Sequence, residues 1–282
     1  MTDLDTRLNA CRPDLADSGL RGKVDAAAYA DGRAARVAVG RLALMTHPGG
    51  GGRMGSELLF GEEIRIFEER DGWAWLQNAT DGYVGYARAD GTGAPAGPPT
   101  HYVSALRTFL YDEPDLKSAV IDMASMNSPL VRCGEAGGFM ELATGGWIWA
   151  AHCAAIDEHE DDHAAVALRF LETPYLWGGR SSVGLDCSGL VQMALARCGK
   201  PILRDTDMQA DFGDPVPFTG DEAALAHGDL VFWKGHVGIW LAGGDFIHAN
   251  ATDMKVARGQ FAAIADHIAR VTGGGVTAVR RP

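Results

Sequence analysis

The chain is 282 residues of ordinary globular composition, 46% hydrophobic and 22% charged, which excludes disorder and collagen-like repetition and leaves length for two or three domains. Lys plus Arg is 25 against 37 Asp plus Glu, a net charge of −12 that repels phosphate backbones and anionic headgroups, so neither nucleic acid nor membrane is an expected partner. Five cysteines, odd in number and without a CxxC pair, argue for a reducing compartment. The start, Met1-Thr2-Asp3-Leu4-Asp5-Thr6, lacks the basic residues and apolar run of a signal peptide, and the most apolar stretch, near Trp147, is too short to cross a bilayer, so a cytoplasmic protein is expected.

Residues 1–33 carry no readable pattern. From residue 34 short runs alternate with period two between turn residues: Glu63-Ile64-Arg65-Ile66-Phe67, Asp71-Gly72, Trp73-Ala74-Trp75-Leu76, Asp81-Gly82. A Gly/Pro-dominated stretch, Gly91 to Thr100, blocks helix and ladder alike and reads as a linker. The pattern recurs beyond it. Arg41, Leu44 and Pro48 return 66 positions later as Arg107, Leu110 and Pro114, and the same offset maps Gly72 and Leu76 onto Gly138 and Leu142. Each copy ends in an aromatic strand, Tyr83-Val84-Gly85-Tyr86 and Trp147-Ile148-Trp149, and both resemble bacterial SH3-like domains. The Gly49–Gly52 run after His47-Pro48 lacks the Gly-Lys-Ser/Thr of a phosphate loop and reads as a barrel loop.

From about Asp157 the period turns helical, with Val166, Phe170 and Leu171 spaced on one face until Pro174. A second helix is predicted to start at Cys187, bury Leu190, Val191, Ala194 and Leu195, and end at Gly199. Strand-like runs follow, 229–233, 236–241 and 245–248, so this last part is α+β.

Five motifs lie here in order: Pro174-Tyr175-Leu176-Trp177-Gly178-Gly179, Gly184-Leu185-Asp186-Cys187-Ser188-Gly189-Leu190, Gly228-Asp229-Leu230, Gly235-His236-Val237-Gly238-Ile239 and Phe246-Ile247-His248-Ala249. Their order and spacing resemble the NlpC/P60 cysteine peptidases, and two SH3-like domains ahead look like the subgroup that cleaves γ-D-glutamyl to L-diamino acid bonds in cell-wall peptides. The resemblance implies two small all-β SH3-like barrels followed by an α+β papain-like catalytic domain. The expected boundaries are 1–33 N-terminal segment, 34–92 first SH3-like domain, 93–100 linker, 101–156 second SH3-like domain and 157–282 catalytic domain.

The residues support the chemistry independently. A cysteine at a helix start meets unpaired N–H groups and the helix dipole, which favour the thiolate a nucleophile needs, and flanking Asp186, Ser188 and Gly189 are not core-like. His236 opens an apolar strand and is the candidate base. The Gly243-Gly244 turn returns the chain so that His248, also even-numbered, shares its face and can orient it. The resemblance implies the Cys187 backbone N–H and the Tyr175 hydroxyl as oxyanion donors, and an acidic residue, here Asp205, for the free amine of the substrate. Asp186, Ser188, Glu57 and Tyr83 are further candidate substrate contacts. Cys198, eleven residues after Cys187, reads as packing.

His159-Glu160-Asp161-Asp162-His163 matches the H-E-x-x-H zinc signature literally, but the stretch is almost wholly charged and no third ligand is evident; it reads as the solvated first turns of a helix. The expected function is therefore a thiol endopeptidase, without cofactor or metal, that splits the γ-D-glutamyl to meso-diaminopimelate bond of free murein tri- or tetrapeptides bearing an N-terminal L-Ala. A zinc peptidase on His159 and His163, a non-catalytic peptide-binding module and an acyl transferase are the alternatives.

Overall fold

The computed structural model describes residues 4–282, which divide into two units, one ending at Ile156 and the other running from Asp157 to Pro282. Among the described residues no helix is long and apolar enough to cross a membrane.

In the first unit, seven antiparallel strands follow the order Met54–Leu59, Arg41–Met45, Val84–Arg88, Trp73–Asn78, Glu63–Arg70, Arg33–Val37, Thr92–Gly93. Strand alternation sends Leu42, Leu44, Ile64, Ile66, Ala74 and Leu76 into one core. A second body has a five-stranded sheet, Val120–Ser125, Arg107–Tyr111, Trp147–Trp149, Phe139–Leu142, Arg132–Ala136, and a three-stranded one, Pro129–Leu130, His101–Val103, Cys153–Ala155. The 66-residue offset holds for the elements: Arg41–Met45 recurs as Arg107–Tyr111, and Met54–Leu59 as Val120–Ser125. It also places equivalent side chains, Leu44 and Leu110, Leu76 and Leu142, in the two cores.

One expectation needs correction here. Gly93 is not linker: it pairs with Arg36 at the sheet edge. Residues 4–32, which carry no readable sequence pattern, are built into the fold: Leu15–Asp17 pairs in parallel with Ala28–Ala30, and Ala10 packs against Phe67 and Trp75. The two bodies also interlock. Phe60, from the turn after Met54–Leu59, lies in the core of the second body, and Gly61 passes so close to it that a Cβ would fall on the Pro129 carbonyl oxygen. At the same seam the Gly40 N–H donates to Asp122 Oδ2 at 2.6 Å.

The second unit is an antiparallel six-stranded sheet with four helices: α1 (His163–Leu168), α2 (Cys187–Arg197), α3 (Thr206–Gln209) and α4 (Phe261–Thr272). The strand order is Asp214–Pro215, Ala278–Arg281, Leu230–Trp233, His236–Leu241, Asp245–Asn250, Lys255–Gln260. Val231, Trp233, Trp240 and Phe246 cover Phe261 and Ile268 of α4, while α2, buried along almost its whole length, packs on the His236–Leu241 strand. Asp229 of the Gly228-Asp229-Leu230 motif is fully buried and holds Arg281 through both oxygens, at 2.8 and 2.7 Å, tying the last strand to the sheet.

α1 starts later than the sequence pattern predicts. Asp162 caps it, accepting from the Ala164 and Ala165 N–H groups, so residues 157–162 precede the helix instead of forming its first turns.

Candidate active site

Cys187 is the first residue of α2, and the loop before it fixes where the thiol points. Asp186 caps the helix by accepting from the Gly189 N–H at 2.7 Å, a local preference of Asp that places Cys187 in the first turn. The rest of that carboxylate is taken up by scaffold. Arg204, with no exposed surface, donates to both oxygens at 2.9 and 2.7 Å, and the Gly178 N–H donates to Oδ2 at 2.8 Å. Ser188 Oγ lies 3.2 Å from Asp186 Oδ1 and accepts from Arg204 at 2.8 Å. Asp186 and Ser188, expected as substrate contacts, are thus buried braces of the nucleophile loop: with every lone-pair direction of Asp186 engaged, no oxygen is left for a peptide.

The thiol is 6% exposed. Burial and the neighbouring Asp186 charge push its pKa up to about 11, against smaller opposing effects of the Thr206 hydroxyl and the Val237 and Ser188 N–H groups. The helix start therefore does not by itself produce a resting thiolate, because desolvation of the anion outweighs the dipole. A base has to take the proton at the moment of attack.

The strand that carries His236 packs on α2, and the backbone N–H of Val237, the residue after His236, is among the groups that lower the Cys187 pKa. The register pairs Ile239 with Ile247 and Trp240 with Phe246; one step further sets His248 opposite Gly238, diagonal to His236 on the same face. His236 Nε2 and His248 Nδ1 are 2.9 Å apart, with ring centroids at 5.1 Å and planes at 71°. Gly238 makes this possible. A Cβ there would strike the Phe246 ring and come within 2.7 Å of the Ile247 carbonyl oxygen. Burial lowers the pKa of His236 to about 4, and burial with the two neighbouring imidazoles, His236 and His267, lowers His248 to about 3, so both are neutral at pH 7 and able to accept a proton.

Tyr175 enters from the loop after α1, its N–H bonded to the Met254 carbonyl at 2.8 Å. Burial first, then the Cys187 and Asp186 charges, drive its pKa up, which keeps the hydroxyl protonated as a donor. Asp205 precedes α3 and is half-buried; the next residue, Thr206, puts Oγ1 3.8 Å from Cys187 Sγ. Sequence reasoning missed that hydroxyl, together with Arg204 as the counter-ion and Asn250 beyond His248.

The other candidates are elsewhere. Glu57 is 1% exposed in its strand and ion-paired with Arg41 at 2.9 Å. Tyr83 is a core residue of the first body, its N–H bonded to Asp81. Neither presents a free surface as a substrate contact would, a correction to the expectation; alternation along a strand specifies a face but not which side is covered. In the H-E-x-x-H stretch only His163 is helical, so the two imidazoles do not occupy one helical face. Glu160 is held by Arg169 and Arg197 at 2.8 and 2.9 Å, and His163 Nε2 bonds the Gly228 carbonyl at 2.7 Å. Among the described residues no group of three or more His, Cys, Asp or Glu could hold a metal ion.

A buried thiol at a helix start, on a helix that packs against the strand carrying a hydrogen-bonded histidine pair, is an arrangement of groups suited to thiol-based acyl transfer or hydrolysis. Residues 172–272 match the NlpC/P60 family model, so the chain contains an NlpC/P60 domain, and residues 44–91 match the bacterial dipeptidyl-peptidase SH3 domain. A dipeptidyl-peptidase 6 of Lysinibacillus sphaericus is 27% identical over 219 residues, 69% of this chain and 79% of that relative. A γ-D-glutamyl-L-lysine dipeptidyl-peptidase of Bacillus subtilis is 39% identical over 95 residues, but the match spans only 31% of either protein. Among solved structures, an NlpC/P60 family protein from Bacillus cereus aligns with 88% of this chain and 99% of its own, at TM-score 0.74 and 19% identity, a likeness of fold. Residues 172–272 are thus an NlpC/P60 domain, and the relatives described above are named as peptidases.

Proposed function

We propose that this protein is a cysteine endopeptidase that hydrolyses the γ-D-glutamyl to L-diamino acid bond, with meso-diaminopimelate at the diamino position, in free murein tri- or tetrapeptides, acting in cytoplasmic cell-wall recycling. The observation that carries the reading is the histidine pair, His236 on His248 at 2.9 Å, on the strand against which α2 packs with Cys187 as its first residue. The relatives named for γ-D-glutamyl and dipeptidyl cleavage support the bond, and a net charge of −12 with five free thiols supports the compartment.

In this mechanism His236 takes the thiol proton as Sγ attacks the γ-carbonyl carbon, and His248 orients the ring. The tetrahedral oxyanion is met by the Cys187 backbone N–H, which helix geometry leaves without an intrahelical partner, and by the Tyr175 hydroxyl. His236 then gives its proton to the departing diaminopimelyl amine, the C–N bond breaks and a thioester remains. Water, losing a proton to His236, cleaves the thioester; the proton returns to sulfur, and L-Ala-γ-D-Glu leaves. Asp205, beside Thr206, serves the free L-Ala ammonium. In the same reading residues 101–156 form a second SH3-like domain, 34–93 the first, 94–100 their linker and 157–282 the catalytic domain; the pairing of Gly93 with Arg36 sets the linker's start, and the shared offset of the strands supports the repeat.

The test uses two comparisons. Cys187→Ala should abolish turnover of L-Ala-γ-D-Glu-meso-diaminopimelate while leaving the thermal unfolding profile intact; residual cleavage at a wild-type rate sinks the thiol mechanism. With the wild-type protein, acetylating the substrate amine should cost about a thousandfold in kcat/KM, roughly 4 kcal/mol for an uncompensated ammonium site. Equal cleavage of both peptides would remove the recycling role.

A further inference from the structure

The two bodies of the first unit treat the same sheet face differently. In the first, Trp75 and Tyr86 alternate with the core residues Ala74, Leu76 and Ala87 and so point outward, and residues 7–12 cover them. The Val84 N–H donates to the Arg7 carbonyl at 2.7 Å, Gln77 Nε2 donates to the Leu8 carbonyl at 2.9 Å, and Ala10 packs on Phe67 and Trp75. Arg12 lies over the Trp75 ring at 4.2 Å, donates to the Tyr86 hydroxyl at 3.0 Å and pairs with Glu68 at 2.8 Å. Among the described residues this body, with its covering segment, exposes no large apolar side chain. The second body keeps the strand order, and its pairing of Phe139 with Trp149 repeats that of Trp73 with Arg88. Its outer face, however, is open: Phe109 is 50% exposed, Leu116 73% and Trp149 39%. A cavity of about 670 Å³ lies there, walled by Phe109, Tyr111, Phe139 and Trp149 and lined also by Leu116 and Asp115. Neighbouring rings in this wall meet edge to face, with centroids 5.1 to 6.4 Å apart.

We propose that this aromatic face of the second body is a docking site for a basic, extended segment of another protein, with an arginine or lysine of that segment seated on the rings and its apolar neighbours on Leu116. A cavity of this volume, mostly apolar with a few charges at its edge, is the size and character of a specific binding site, and an exposed apolar patch on a soluble chain marks an interaction surface. Charge selects the occupant. Ring faces attract cations, Asp115 lines the cavity, and Asp112 and Glu113 precede it in the same turn, against Arg107 and Lys117 nearby. The whole chain carries −12, which draws in a basic partner and repels a second copy of itself. The first body supplies the precedent, since the same sheet there holds an extended segment whose arginine sits on a tryptophan with a glutamate as counter-ion. None of this depends on the thiol chemistry of the other unit.

The probe is a fluorescein-labelled peptide with the sequence of residues 7–16 carrying Cys11→Ser, titrated with the full-length protein and read by fluorescence anisotropy. It should bind saturably at micromolar protein, and a peptide with Arg7→Glu and Arg12→Glu should bind about tenfold more weakly or not at all. In the protein, Trp149→Ser and Phe109→Ser should each weaken binding about tenfold with the thermal unfolding profile unchanged, because both side chains are substantially exposed. Asp115→Lys alters no ring and should weaken it severalfold and reduce its salt dependence, so the proposal stays testable even if an aromatic variant fails to fold. Absence of saturable binding, equal binding of the arginine and glutamate peptides, or binding that survives Phe109→Ser and Asp115→Lys overturns it. A dimer in sedimentation velocity that Phe109→Ser disperses would give the face to a second copy, and binding of an N-acetylglucosamine tetramer in place of the peptide would give it to a glycan; either result overturns the proposal.

Discussion

Arg204→Met is the sharpest probe of how the nucleophile loop is held. Arg204 is completely buried, donates twice to Asp186, once to Ser188 Oγ and once to the Gly179 carbonyl at 3.2 Å. Methionine fills much of the same space but supplies no charge, so the Asp186 carboxylate, 8% exposed, is left in the interior without its counter-ion. Breaking a buried pair from one side costs about 3–5 kcal/mol, because the stranded charge keeps its desolvation cost and loses its partner. For a unit running from Asp157 to Pro282, that is a fall of roughly 11–19 °C in Tm. Asp186→Asn with Arg204→Met removes the stranded charge and should recover about half of the loss, which a pure packing effect of Met would not do. Calorimetry of the four proteins of this cycle is the assay. A single variant within about 1 kcal/mol of wild type, or a double variant no better than the single, would refute the assignment of Asp186 and Arg204 as the brace of α2.

Two other outcomes are expected. Gly238→Ala should cost several kcal/mol and reduce activity more than a hundredfold in whatever fraction remains folded, since the new methyl pushes on Phe246 and the Ile247 carbonyl beneath the histidine pair; near-normal activity would show that the two strands can part without harm. Stability should also fall with pH. The folded-state values of about 4 and 3 lie below the ordinary histidine value of about 6.5, so the unfolded chain binds protons first, and the stability present in full above about pH 6.5 declines towards pH 4. Thermal scans at pH 7.5, 6 and 5 check this, and His248→Asn should flatten the slope; an unchanged slope in that variant would assign it to other groups.

The part of the site that sequence reading reaches is the part written in local rules. A helix start at Cys187, an apolar strand opened by His236 and a glycine turn that brings an even-numbered His248 back are readable because helix starts, hairpins and strand parity are short-range. Thr206 and Arg204 escaped because their approach to Cys187 and Asp186 depends on the path of the loop between α2 and α3, which no periodicity encodes. Asn250 carried a signal that was there to be used: it is two residues from His248, hence on the same face. Glu57 and Tyr83 show the opposite failure, since a polar residue in an alternating strand looks exposed until a neighbouring strand or an arginine covers it. The charged run from Asp157 to Asp162 misled for a related reason. Helix-compatible composition does not start a helix; Asp162, as the cap, does.

Phe60 bears on how the first unit can be taken apart. Its ring belongs by sequence to the first body and by packing to the second, and at the adjacent Gly61 an added Cβ would lie 2.0 Å from the Pro129 carbonyl oxygen, where only a hydrogen fits. A cut anywhere in the Gly/Pro stretch therefore severs a shared core: the upstream fragment exposes a phenylalanine and the downstream one opens a hole the size of a benzene ring. Shuffling these bodies as independent cassettes is a poor route to new specificities, whereas exchange of the whole stretch up to Ile156 moves the plug together with its socket.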